Sequence, residues 1–129
     1  MSPVLITGAH GVTGRAVLGA LKRRGARVRA MVTREASAQA LREAGADETA
    51  LARFDDPAAL TAAMHDIDTV FHIPPRMKPE EVSNGLAVIA AARAAGVRRI
   101  ALHSVINSQV QAIRFHTHKR LVEEASITS

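Results

Sequence analysis

The chain has no cysteine, no tryptophan and no tyrosine, and its only aromatic rings besides histidine are Phe54, Phe71 and Phe115. Without cysteine there is no disulfide, no thiol nucleophile, no iron–sulfur cluster and no cysteine zinc site. So few aromatics exclude a base-stacking platform for nucleic acid. No apolar run approaches the roughly 20 residues that span a bilayer. The opening Met1-Ser2-Pro3-Val4-Leu5-Ile6-Thr7 carries neither a basic stretch nor a cleavage site, so no secretory signal is read there. A reducing, cytoplasmic setting is the expectation. Acidic residues are also missing from positions 1–34, which hold Arg15, Lys22, Arg23, Arg24, Arg27, Arg29 and Arg34. All 12 acids fall later, against 10 basic residues, so the basic excess behind the net charge of +5 sits in the first quarter. That excess is either a solvated basic face or the mark of an anionic ligand nearby.

What is present describes one folded domain. The length of 129 residues and 47% hydrophobic content, with mean hydropathy +0.04, suit a single core rather than a disordered chain. Alanine supplies 25 of the residues. Short β-rich runs alternate with helical ones. Strands are expected over residues 4–7, 27–32, 48–54, 68–73 and 98–103. Helices are expected over 12–24, 36–44, 57–64, 79–95 and 116–125. Gly25, Gly45 and Gly96 stand where helices stop, and Asp56-Pro57 reads as an N-cap followed by a proline in the first turn. Strict alternation gives an α/β fold, a doubly wound parallel sheet of Rossmann type with expected strand order 3-2-1-4-5.

The first strand runs into Thr7-Gly8-Ala9-His10-Gly11-Val12-Thr13-Gly14, and a helix follows at once. In this strand–loop–helix context a G-x-x-G-x-x-G spacing points to a diphosphate cradle. Gly8 makes the tight turn, Gly11 lets the diphosphate approach the backbone, and Gly14 lets the helix pack on the strand. The free N–H groups and the positive helix end hold the anion. Acid at the end of strand two binds the ribose 2′-OH of NAD(H), whereas arginine there accommodates the 2′-phosphate of NADP(H). Here the strand leads into Thr33-Arg34-Glu35, so Arg34 favours NADP(H) over NAD(H), with Glu35 read as a first-turn helix acid. Arg15 opposes the helix dipole, and either contacts a phosphate or faces solvent. Strand four ends in Ile73-Pro74, and this edge of the sheet is where ribose and nicotinamide are expected.

The glycine loop, together with Ala95-Gly96-Val97-Arg98-Arg99-Ile100, His103-Ser104-Val105 and residues 116–124, resembles the NmrA-like branch of the atypical short-chain dehydrogenase/reductase superfamily. The resemblance implies an NAD(P)-binding domain of an NADPH-dependent oxidoreductase acting on a quinone or small carbonyl compound. It places Arg34 at the 2′-phosphate and Asp55 near adenine, although Asp55 also reads as capping geometry beside Asp56. Ser104 and Lys119 match the superfamily's carbonyl-orienting serine and ribose-holding lysine. The tyrosine acid four residues before that lysine is replaced by Phe115. His116, on the same helical side as Lys119, is a candidate proton donor or a surface histidine. No metal site is expected from His116-Thr117-His118, whose histidines diverge around a helix. Family members continue into a substrate lobe, so the chain reads as the cofactor half of a longer protein or as a single-domain binder. The missing tyrosine keeps a second hypothesis open, a non-catalytic redox sensor that binds a protein partner or a second copy according to cofactor state. Neither a membrane nor nucleic acid is an expected partner.

Overall fold

A computed structural model describes residues 3–74 and 80–103. Its elements run β1 (Val4–Ile6), α1 (Val12–Arg23), β2 (Val28–Val32), α2 (Glu35–Glu43), β3 (Glu48–Leu51), α3 (Pro57–Ala63), β4 (Thr69–His72), α4 (Glu81–Ala95) and β5 (Arg99–Leu102). The five strands form one parallel sheet in the order β3-β2-β1-β4-β5, as the alternation of elements requires. The order reverses between β1 and β4, and in such sheets this is where a crevice opens for ligands. The helix expected over 116–125 lies outside the described residues.

Both faces of the sheet are covered. Leu5, Met31 and Val70 point to one side, into a core with Leu60, Met64 and Val88 from α3 and α4. Their neighbours Ile6, Ala30 and Val32 point to the other, against Leu18 of α1 and Leu41 of α2. This is why the strands are nearly continuous in apolar residues rather than alternating. Fully burying a Leu or Ile side chain contributes about 1.5–3 kcal/mol, so these paired cores supply most of the driving force for folding.

Arg29 puts a charge in an interior strand, and its guanidinium is engaged. It pairs with Glu48 at 2.7 Å and donates to the Ala63 and His65 carbonyls at 2.8 and 2.7 Å. The side chain thus satisfies carbonyls left free where α3 ends. At the other end of α3, Asp56 accepts a hydrogen bond from Ala59 N and Pro57 opens the helix, as the sequence suggests. β3 is shorter than expected, ending at Leu51 instead of reaching Phe54. Ala52 N makes a last bond to Val32 O at 2.9 Å, and Asp56 N then closes a turn onto Arg53 O. Since β2 itself ends at Val32, no partner remains to extend the ladder.

Asp47 fastens the opposite edge. It accepts from Lys22 Nζ at 2.6 Å and from Val28 N at 2.8 Å, tying the end of α1 to the starts of β2 and β3. The lysine first, and then the Val28 amide, hold its carboxyl below the ordinary value of 3.8. A carboxylate depressed in the folded state contributes stability above its unfolded pKa, and loses that contribution as pH falls through the folded value. Asp47→Asn is therefore expected to cost about 1 kcal/mol at neutral pH. Urea titrations should show the gap between parent and variant closing as the pH drops below 3.8; a gap independent of pH would contradict the assignment.

Candidate functional site

The site begins where β1 and β4 end side by side. Thr7, fully buried, follows β1, and its amide donates to Phe71 O at 3.0 Å. Its hydroxyl then does what the next backbone group of a strand would do. It accepts from Ile73 N at 3.0 Å and hydrogen-bonds Nδ1 of the buried His72 at 2.7 Å. Beside this bond Gly8 turns with φ +66°, and a Cβ there would lie 2.5 Å from Ile73 O. Only glycine meets both demands.

The loop over this junction lines a cavity of about 460 Å³. Gly8, His10, Gly11, Val12, Thr13 and Gly14 form one wall, and Ile73 and Pro74 another. Eight of the residues picked out in the sequence thus surround a single space. Thr7 does not line it; the hydroxyl lies beneath, clasping the two loops.

The three glycines do different work. At Gly14 a Cβ would collide with Gly8 O and sit 2.5 Å from Ala9 Cα. The close packing is therefore against the loop, not against the strand as the spacing suggested. At Gly11 the reverse holds. Its φ of −78° and ψ of 176° suit any residue, and a Cβ would meet only Gly8 O at 3.7 Å. Nothing within the described chain requires glycine there. Gly11 is also the N-cap of α1, and no side chain caps that helix. Among the described residues, the first helical amide bonded to the chain is that of Arg15, donating to Gly11 O at 2.9 Å. The amides before it are thus available to an anion, and the missing Cβ leaves room for one. Arg15 itself donates Nε to His10 O at 3.2 Å and so braces the loop.

Arg34 and Asp55 line a second cavity, of about 540 Å³, together with Arg53, Glu80 and Asn84. Thr33 and Phe54 border both cavities, which adjoin as a trough running from the glycine loop to the ends of β2 and β3. Phe54 also stands edge-on to His72, with ring centroids 6.0 Å apart. Asp55 is engaged by Arg53, whose Nε and Nη2 donate to its two oxygens at 3.1 and 3.0 Å. That guanidinium holds the Asp55 carboxyl below the ordinary carboxylate value. The sequence does not single out Arg53 or Phe54, and it makes no convincing case for His72; their position at strand ends is the available signal. Ser104, His116 and Lys119 lie outside the described residues.

The sequence profile of the NmrA-like family matches residues 1–126. The chain belongs to the NmrA-like family. Among curated relatives, sanguinarine reductase of Eschscholzia californica is 41% identical over 83 residues, covering 60% of this chain and 30% of that protein. NAD(P)H azoreductase of Xenophilus azovorans is 30% identical over 105 residues, covering 81% of this chain and 36% of the relative. Among solved structures, the NADPH-dependent quinone oxidoreductase of Escherichia coli, complexed with NADPH, superimposes with a TM-score of 0.85 at 29% identity. It matches 94% of this chain and 43% of its own. The triphenylmethane reductase of Citrobacter sp., complexed with NADP(H), shares the fold with a TM-score of 0.87 at 23% identity, over 98% of this chain and 45% of its own. This NmrA-like chain therefore spans less than half the length of each of these proteins.

The contrast between glycines is testable in the chain alone. Gly14→Ala is expected to lower stability by about 1–3 kcal/mol, because backbone atoms must shift to admit the methyl. Gly11→Ala should stay within about 0.5 kcal/mol of the parent. Thermal melting followed by circular dichroism measures both, and equal losses would contradict the packing described.

Proposed function

We propose that this chain binds NADP(H) along the trough and forms the cofactor-holding part of a reductase that acts on a quinone or another small carbonyl compound. The observation that carries the reading is Gly11, where a glycine unneeded by the fold faces the cavity beside uncapped amides. A diphosphate is the group that fits such a cradle. The ends of β1 and β4 direct the rest of a dinucleotide two ways. One way leads past Ile73 and Pro74, where a nicotinamide riboside would lie. The other leads toward Arg34, which suits a 2′-phosphate. Proteins named as a quinone oxidoreductase, an azoreductase and a sanguinarine reductase, at 29–41% identity over the matched stretches, support the reaction class.

When bound, the nicotinamide supplies the hydride, and the protein's task is to bind and orient it. Gly8, Gly11 and the first amides of α1 hold the diphosphate. The Thr7–Ile73 bond fixes the wall on which the reactive ring would rest. Arg34 selects the phosphorylated cofactor, and Ser104 and Lys119 are proposed to orient acceptor and ribose. One feature favours a second reading. The chain has no tyrosine, and Phe115 stands four residues before Lys119, where the superfamily's acid belongs. A cofactor-binding sensor without turnover would have no use for that acid.

Titration of NADPH fluorescence tests the cradle. Gly11→Val should abolish binding while leaving the melting curve nearly unchanged, since the branched side chain enters the space left for the diphosphate. Unaltered binding by the variant would exclude the proposed cradle. Arg34→Ala should weaken NADPH by about 1.5–3 kcal/mol, or roughly 10–150-fold, and leave NADH almost unaffected; equal losses would remove the 2′-phosphate role. Loss of NADPH absorbance with a panel of quinones then separates the two readings. Turnover abolished by Ser104→Ala and Lys119→Ala supports the reductase, and binding without turnover supports the sensor.

A further inference from the structure

We propose that Arg53 is a second specificity-determining cation at the adenosine end of the trough, and that Asp55 is its positioning partner, occupying the guanidinium fork until a phosphate takes it. The proposal rests on the reading of the chain as NADP(H)-binding, and it extends to the end of β3 a phosphate-binding role expected only at the end of β2.

Strand register carries the argument. β2 and β3 run parallel, with Val32 opposite Leu51, and their ladder closes with Ala52 N on Val32 O. Arg34 lies two residues past the end of β2, and Arg53 two residues past the end of β3. Parallel pairing therefore brings the two arginines to the same edge of the sheet, where both line one cavity. The turn closed by Asp56 N on Arg53 O folds Asp55 back onto the arginine. The result is a two-point pair through Nε and Nη2, with side chains 71% and 69% exposed.

That geometry is the one by which a guanidinium grips two phosphate oxygens. Asp55 thus presents the same pattern of acceptors that a 2′-phosphate would. So exposed a pair is held weakly against solvent and competing anions. Arg34, by contrast, is in no ion pair among the described residues. Glu80 adds a second acid to the lining. Among the described residues the cavity therefore carries two cations and two carboxylates, and a dianionic phosphate gains most when Arg53 exchanges Asp55 for it. The carboxylate sets the direction of the guanidinium and, by competing for it, limits affinity for the phosphorylated ribose.

Two small probes isolate this end of the trough: adenosine 2′,5′-bisphosphate and adenosine 5′-monophosphate, titrated by calorimetry. Arg53→Gln is expected to weaken the bisphosphate about tenfold, the order of one charge-assisted contact, and to change the monophosphate by less than about twofold. Arg53→Lys should recover only part of the loss, because an ammonium cannot form the two-point contact. Asp55→Asn should strengthen the bisphosphate a few-fold and leave the monophosphate alone. All three substitutions are on exposed side chains, and melting curves should match the parent. Equal losses for both probes in Arg53→Gln, or no loss, would overturn the proposal, as would weakening of both probes in Asp55→Asn, which would instead put that carboxylate on the adenine. A parent that binds NADPH normally while failing these contrasts sinks this inference only; a parent that binds neither NADPH nor the bisphosphate removes the cofactor reading with it.

Discussion

The buried hydroxyl of Thr7 is the contact on which the rest of the site depends. It takes the Ile73 amide and meets His72 Nδ1, so the chain leaving β1 and the chain leaving β4 are locked together one residue past their ladder. Both partners are removed from water, and a hydrogen bond left unmade there would cost the full desolvation of a polar group. Because the loops are held this closely, Gly8 must lack a side chain, and because Gly8 turns as it does, Gly14 must lack one too. The glycine spacing is thus largely a consequence of how two strand ends are joined. Gly11 alone stands outside that chain of necessity, which is why it speaks of a ligand.

The sheet gives this junction its rigidity. Two apolar cores, one on each face, sandwich β1, β2 and β4. The polar ties sit at the periphery: Arg29 across the end of α3, Asp47 between Lys22 and Val28, and Asp56 at the start of α3. Each contributes on the order of 1 kcal/mol. Their effect is to set where turns begin and end, and so which residues emerge at the edge where the strands finish.

Charge follows the same division. The basic excess of the first quarter does not form one surface. Lys22, Arg27 and Arg29 are used in ion pairs with Asp47 and Glu48, well away from the trough. Arg15 braces the loop through the His10 carbonyl. Arg34 remains as the member of that run that borders the trough without an ion pair among the described residues. Net charge therefore does not mark a single surface, whereas one arginine at a strand end lines the cavity where the anion is proposed to bind.

The sequence by itself determined the order of elements, the parallel sheet and the glycine loop, because alternation and spacing are local properties that a periodic core imposes on every strand and helix. It also singled out Arg34 by its distance along the chain, and the structure puts that residue in the lining of a cavity. Only the tertiary structure decided that Thr7 is a clasp and not a wall of the cavity, that Gly14 packs on the loop, and that Arg53 shares a cavity with Arg34. Each of these depends on register between strands: Thr7 and His72 are 65 positions apart, and nothing local to either announces the other. β3 ended early for the same reason, since a strand lasts only as long as its neighbour offers carbonyls and amides to pair with.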